Sequence, residues 1–152
     1  MESLKEHLER ERHLPPRPLS DDEQLLLRHV LENGPERARS FLPQILNIRA
    51  VRSCICGCPS IKLITDTEVP AGNTEGGRVL CDFEGRTAKG ELIGVLLFQD
   101  DGRMTELEAY SIDGLIQEAT GLFNWPLIES LKMLEWEPIP GKPNFRRPKQ
   151  LS

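Results

Sequence analysis

The chain contains few aromatic residues and no long apolar run. Phe, Trp and Tyr make up 5% of its 152 residues, and no segment approaches the ~20 apolar residues that cross a bilayer. The first residues, Met1 to Glu6, also lack the apolar core of a secretory signal. We therefore expect no membrane association and a cytoplasmic location, where cysteines are usually free, metal-bound or catalytic.

Acidic residues outnumber basic residues outside the C-terminal tail. The net charge is −5, although the sequence after Glu137 carries Lys142, Arg146, Arg147 and Lys149 and no acid. The rest of the chain is therefore more acidic than the total. Because nucleic-acid binding depends on clustered Lys and Arg, this balance argues against DNA or RNA as a partner.

Histidine is also rare, and its positions restrict the catalytic chemistry. His7, His13 and His29 all lie in the N-terminal third, so Ser60 has no neighbouring histidine in sequence to activate it. The glycine-rich residues 72–77 lack the lysine and the following helix of a phosphate-binding loop. These patterns predict no catalytic residue and no cofactor-binding residue.

Carboxylates are the remaining candidates for acid–base chemistry. Glu106 and Glu108 share a predicted strand face with Tyr110, and Asp82 and Glu84 share a face of an earlier strand. Two carboxylates support hydrolysis at separations of about 5–9 Å. A polar strand face is also the ordinary condition of an antiparallel sheet. We interpret these residues as a solvated face, since a hydrolase requires a pocket that raises one carboxylate pKa.

The length fits a single domain with irregular ends. Prolines and charged residues concentrate at both ends, where apolar periodicity is weak. We predict a flexible, charged and proline-rich arm over residues 1–18, a single α+β domain over 19–137, and an extended basic tail over 138–152.

The first predicted element of the domain is a helical hairpin. Ser20 and Glu23 form the reciprocal capping pattern that begins a helix, and an apolar stripe at helical spacing follows. Gly34 and Pro35 then end this helix and begin a second, whose apolar positions continue to Pro43. The hairpin presents one apolar side for packing.

From Arg49 onward the apolar period changes to two, which is typical of strands. The predicted strands are residues 49–54, 60–66, 78–84, 92–98 and 104–110. The sequence Asp100-Asp101-Gly102 predicts a tight reversal before the last strand. With short C-terminal helices at 113–120 and 126–134, the prediction is an α+β fold whose N-terminal helical hairpin packs on an antiparallel sheet of four to five strands.

Three of the four cysteines lie within five residues, at Cys54, Cys56 and Cys58. In an extended strand, alternate sulfurs lie roughly 6.5–7 Å apart, too far to share one ion. The turn at 57–59 can draw Cys56 and Cys58 together, with Cys81 as the candidate fourth thiolate for zinc or copper. Without that convergence, the cysteines act as small buried hydrophobes around a strand turn.

Two segments together resemble a known group of proteins. They are the motif CxCGCPS at residues 54–60 and the hairpin GVLLFxxDGRxxELExYS at residues 94–111. The pair resembles a family of small uncharacterised bacterial proteins, a likeness that covers about residues 20–112. That family has no established activity, so the resemblance implies no catalytic residue and no cofactor.

We therefore expect a non-enzymatic cytosolic protein that binds a protein partner, such as an accessory or immunity-type protein. The acidic composition, the irregular ends and the missing catalytic patterns favour this interpretation. The alternative is a metal-binding or thiol-dependent protein that uses Cys54, Cys56 and Cys58, with Cys81 as a further ligand of zinc or copper. The oligomeric state is left open by the sequence.

Overall fold

The computed structural model describes residues 1–149 and confirms the α+β class. Its helical elements are α1 (Leu4–Arg12), α2 (Asp21–Asn33) and two 3-10 segments, Glu36–Ile45 and Ile128–Ser130. Its strands are β1 (Arg17–Pro18), β2 (Arg49–Arg52), β3 (Ile61–Ile64), β4 (Val79–Arg86), β5 (Leu92–Asp100), β6 (Arg103–Ser111), β7 (Lys132–Met133), β8 (Trp136–Ile139) and β9 (Lys142–Pro148).

Seven strands form one antiparallel sheet in the order β1-β2-β3-β6-β5-β4-β7, and β8 pairs with β9 in a separate two-stranded sheet. The prediction of four to five strands is therefore wrong. The strands at the two edges, β1 and β7, have only two residues each, too few to show an alternating pattern. The turn prediction is confirmed, because Asp101 and Gly102 have the positive φ angles (51° and 80°) of a tight hairpin between β5 and β6.

The predicted helical hairpin is correct only in its first half. Helix α2 begins with the Ser20–Glu23 capping box, but the segment that follows is a 3-10 helix and not an α-helix. Pro43 lies inside this segment and has no N–H for an α-helical hydrogen bond, which opposes an α-helix there. The fully buried Gln44 fixes the segment to the β5–β6 turn, where its Nε2 donates to Gly102 O at 2.6 Å.

The predicted C-terminal helices are also wrong. Residues 113–120 contain no helix, and residues 126–134 contain only the turn Ile128–Ser130. Gly114 and Gly121 adopt φ angles of 75° and 78°, which interrupt helical geometry. Lys132 and Met133 form strand β7 and pair with β4. This strand pairing lies where the apolar spacing of residues 126–134 predicted a helix.

Regular structure extends into both ends of the chain. Leu8 of α1 is buried, and Glu11 of α1 accepts a hydrogen bond of 2.7 Å from Arg52 Nε on β2. Strand β1 pairs with β2, and β9 pairs with β8 within the segment predicted as an extended tail. The division of the chain at residues 18 and 137 stays a prediction.

The core lies between the helical elements and one face of the sheet, which we call the inner face. Its largest fully buried side chains are Phe41, Phe83, Leu26, Leu27, Leu31, Leu80, Leu97, Met104 and Leu107. The opposite face, the outer face, is partly exposed. Its central row consists of the register partners Asp82, Leu96 and Glu108.

Candidate metal centre

The three clustered cysteines lie in the loop that joins β2 to β3, residues 53–60. The last register pair before the loop is Arg52 with Ile61, and Ser53 N donates to Ser60 O at 3.1 Å just beyond it. Arg52 Nη1 also donates to Cys58 O at 3.0 Å across the loop. These bonds close the base of the loop, so the cysteines are held in a folded turn and not in an extended strand.

The turn brings the three sulfurs together. Cys58 Sγ lies 2.9 Å from Cys54 Sγ and 2.9 Å from Cys56 Sγ, and all three sulfurs lie within 4.8 Å of one another. Two thiolates on one zinc ion lie about 3.8 Å apart, because each Zn–S bond is about 2.3 Å. Both separations from Cys58 are shorter than that value, so the three donors fit around a single ion after the sulfurs move apart by about 1 Å.

Gly57 explains why the sulfurs converge. Its φ of 97° reverses the chain between Cys56 and Cys58, in a region that residues with side chains rarely adopt. A Cβ at this position would lie 2.8 Å from Gly121 O, so residue 57 must also be small. Phe123 N donates to Gly57 O at 3.3 Å. This bond fixes the segment after β6 against the loop of residues 53–60, which we call the thiol loop.

The burial of the cysteines differs along the loop. Cys58 is buried, Cys54 is half-buried and Cys56 is exposed. The interpretation of the cysteines as buried hydrophobes therefore fits Cys58 and does not fit Cys56. An exposed thiol next to two less accessible ones gives the cluster an open side toward solvent.

Ser60 fixes Cys58 to the sheet. Its buried hydroxyl accepts a hydrogen bond from Ala109 N at 2.8 Å, donates to Ala109 O at 3.2 Å and lies 3.2 Å from Cys58 Sγ. Sequence reasoning considered Ser60 only as a nucleophile. The alternating pattern of the following strand gives no signal for this anchoring role, because it depends on a neighbour from β6.

The hydrogen bonds among the thiols separate their pKa values. Burial, followed by contacts with Cys56 and Cys58, raises the pKa of Cys54 to about 12. Burial also acts to raise the pKa of Cys58, but its hydrogen bonds with Cys54, Cys56 and Ser60 together hold that pKa below its usual value. Cys58 therefore loses its proton more readily than Cys54.

Cys81 does not join the cluster. It lies on β4 in the core, where its Sγ donates to Val30 O at 3.4 Å and burial raises its pKa to about 12. Within residues 1–149, no other Cys, His, Asp or Glu completes the group formed by Cys54, Cys56 and Cys58. The structure thus brings together three of the four predicted thiol ligands.

The carboxylates of the outer face are partly buried and spread over two strands. Burial, and then the charge of Glu106, raises the pKa of Glu108, whereas Glu106 accepts a hydrogen bond of 3.0 Å from Ser53 Oγ. Burial also raises the pKa of Asp82, whose Oδ2 accepts from Trp136 Nε1 at 2.6 Å. Asp82 and Glu108 flank Leu96 across two strand spacings, roughly 10 Å in all, beyond the range of a carboxylate pair.

Two cavities lie outside the cysteine cluster. One, of about 360 Å³, adjoins the thiol loop and contains Arg17 and Arg52, each of which is already paired with a glutamate at 2.7 Å. The other is a groove of about 1050 Å³ beside the β8–β9 hairpin. Neither cavity is lined by Glu106 or Glu108, so neither supplies the pocket that a hydrolase requires at these residues.

The chain was compared with protein-family models, with curated proteins and with solved structures. No protein-family model matches the chain, and neither the curated proteins nor the solved structures contain a significant match. The resemblance to a small bacterial family therefore stays a prediction. Among the helices of residues 1–149, none has the length and apolar character needed to cross a membrane.

Proposed function

We propose that this protein binds a thiophilic metal ion, of the zinc or copper class, through Cys54, Cys56 and Cys58. The observation that carries the proposal is the convergence of three sulfurs within 4.8 Å of one another in a loop with one exposed thiol. Thiolates are the ligands that soft and borderline ions such as Cu(I) and Zn²⁺ select. A reducing compartment such as the cytosol keeps these thiols available for an ion.

The loop is built in a way that supports binding. Gly57 supplies the reversal, Arg52 and Ser53 close its base, and Ser60 ties Cys58 to Ala109 of β6. Ligands that are fixed before binding require less ordering when the ion arrives. Three cysteines that only filled a core would not require one of them to be exposed.

The test is elemental analysis of protein purified under reducing conditions without a chelator. We expect a stoichiometric zinc or copper signal that is lost in Cys56→Ser and in Cys54→Ser. Cys81→Ala is the matched control, because it removes a thiol that lies outside the cluster, and it should keep the metal. Metal-free wild-type protein that also fails to take up added Zn²⁺ or Cu(I) would refute the proposal.

A second candidate function is binding of a basic protein partner, as expected for a non-enzymatic accessory or immunity-type protein. The favouring observation is the outer face, where Phe98 and Tyr110 are partly exposed among four acidic side chains, two of which have a lysine as register partner: Lys62 pairs with Glu106 and Lys132 with Glu84. These acids are Asp82, Glu84, Glu106 and Glu108. A basic partner would complement this charge, and such an attraction weakens as salt is added.

The partner test uses charge reversal on the outer face. Binding of a captured and then purified partner should be lost in the double variant Glu106→Lys/Glu108→Lys and should weaken with salt. Glu129→Lys, on the 3-10 turn at the C-terminal side, is the control that should keep binding. Binding that is equal in both variants, or a partner without basic character, would exclude this surface.

A further inference from the structure

Among the Cys, His, Asp and Glu side chains of residues 1–149, the thiol cluster offers three ligands and no fourth. The three histidines are occupied elsewhere: His7 Nε2 lies 3.1 Å from Glu11, His13 Nε2 lies 3.1 Å from Glu9, and Asn33 Nδ2 lies 3.4 Å from His29 Nδ1. Within residues 1–149, no carboxylate reaches the sulfurs either. The coordination number that the described chain can supply is therefore three, and every donor is sulfur.

The hydroxyl of Ser60, beside Cys58 Sγ, is also occupied. Ser60 Oγ is 3.2 Å from Cys58 Sγ, but it accepts from Ala109 N and donates to Ala109 O in the sheet. Turning this hydroxyl toward an ion would leave buried backbone groups of Ala109 without hydrogen-bond partners, which is unfavourable inside the fold. Ser60 thus positions Cys58 and is a poor fourth ligand.

We infer that Cys54, Cys56 and Cys58 bind one copper ion in its monovalent state, Cu(I), as three thiolates without a fourth ligand; this inference rests on the function proposed above. Structural zinc sites are almost always closed by four protein ligands, usually cysteine and histidine. Soft thiolate donors select Cu(I), and no histidine or carboxylate of residues 1–149 joins the cluster to favour a harder ion.

Binding exchanges protons for the ion and changes no oxidation state. Each thiol that coordinates Cu(I) releases its proton to solvent as the Cu–S bond forms. The exposed Cys56 is the thiol that can first take a copper ion from a chelator. The half-buried Cys54 and the buried Cys58 then complete the site. This order of burial makes the cluster suitable for receiving an ion by ligand exchange.

The experiment compares two ions on the reduced full-length protein without oxygen. One titration supplies Cu(I) as its bathocuproine disulfonate complex, and the other supplies Zn²⁺ against a chromophoric zinc indicator. We expect one equivalent of Cu(I), bound more tightly than zinc, with X-ray absorption that shows three sulfur neighbours and no nitrogen or oxygen neighbour. Cys56→Ser should weaken Cu(I) binding by more than the roughly 10–100-fold that loss of an outer-shell partner costs, and Cys81→Ala should not.

The outcomes separate this inference from the proposed function. Tighter binding of zinc, with three sulfurs and one oxygen, would overturn the copper inference and leave metal binding intact. A copper site with two sulfurs, or with more than one ion for each chain, would also overturn it. Failure to bind either ion would remove both proposals, and circular dichroism of each variant checks that a lost site is not lost folding.

Discussion

The ring of Tyr110 on β6 lies directly over the backbone of Gly94 on β5. The two residues are register partners, and a Cβ on Gly94 would overlap the ring and lie 2.6 Å from Tyr110 Oη. Gly94 is not among the glycines with positive φ, so its backbone would accept a side chain. The Tyr110 ring on the neighbouring strand is what excludes a side chain at Gly94.

Gly94→Ala should therefore destabilise the protein. The added methyl group must displace the Tyr110 ring, and overpacking of this kind typically costs about 1–3 kcal/mol. Urea unfolding followed by fluorescence measures the change. In a Tyr110→Ala background the same substitution should cost much less, because the two positions are coupled through contact. An equal cost in both backgrounds would show that the ring is not the cause.

Gly57→Ala should weaken metal binding without removing a thiol. The substitution is strained at a φ of 97° and brings a Cβ to 2.8 Å from Gly121 O, so the loop must move. We expect a loss of affinity of about tenfold or more, as for other residues that orient ligands. Gly77→Ala is the matched control, since Gly77 has a similar φ of 91° but nothing within 4 Å of its Cβ position. Equal metal affinities in the two variants would refute the role of Gly57.

The four thiols should react with Ellman's reagent at different rates in the native, metal-free protein. Cys56 is exposed, whereas Cys58 and Cys81 are 6% and 2% exposed, so Cys56 should react first and Cys81 last. Mass spectrometry of the labelled peptides assigns the order. Unfolded protein should react at all four positions at similar rates. Early labelling of Cys81 in the native state would contradict its placement in the core.

The carboxylate of Glu23 should make the free energy of unfolding depend on pH in the acid range. Burial acts to raise its pKa, but hydrogen bonds from Arg17 and Ser20 outweigh burial and hold the pKa below its usual 4.5. Because the folded pKa is the lower one, this carboxylate stabilises the fold above the unfolded pKa. That contribution is lost as the pH falls from 4.5 through the folded value.

Glu23→Gln tests this dependence. The variant should lose about 1–3 kcal/mol at neutral pH and show a smaller further loss on acidification, as measured by urea unfolding at several pH values. Glu32→Gln on the same helix is the control, because its ion pair with Arg28 is exposed and loose at 3.8 Å. That change should stay within about 1 kcal/mol. An acid-induced loss in Glu23→Gln as large as in wild type would contradict the assignment.

Local signals in the sequence predicted the elements that depend on local chemistry. The Ser20–Glu23 capping box and the Asp101-Gly102 reversal both appear where they were expected, because the side chains of a few adjacent residues determine them. The strand around Val95 was also found, because its sequence is apolar on both faces, and the strand around Leu107 was found as the return after the tight reversal. The predicted hairpin partner of α2 was wrong although its apolar stripe is real, because the 3-10 segment is held by Gln44 through distant partners on the β5–β6 turn.

The candidate metal centre likewise has some features that follow from local sequence and others that depend on distant contacts. The sequence by itself determined that three thiols lie around a turn at Gly57, and that no histidine is near them along the chain. Only the tertiary structure decided that Cys81 stays apart in the core, that Ser60 is held by Ala109, and that Gly121 packs behind the turn. A spacing constrains residues that are close in the chain, whereas these contacts join residues 49 to 64 positions apart and arise only when the sheet and its covering segments pack.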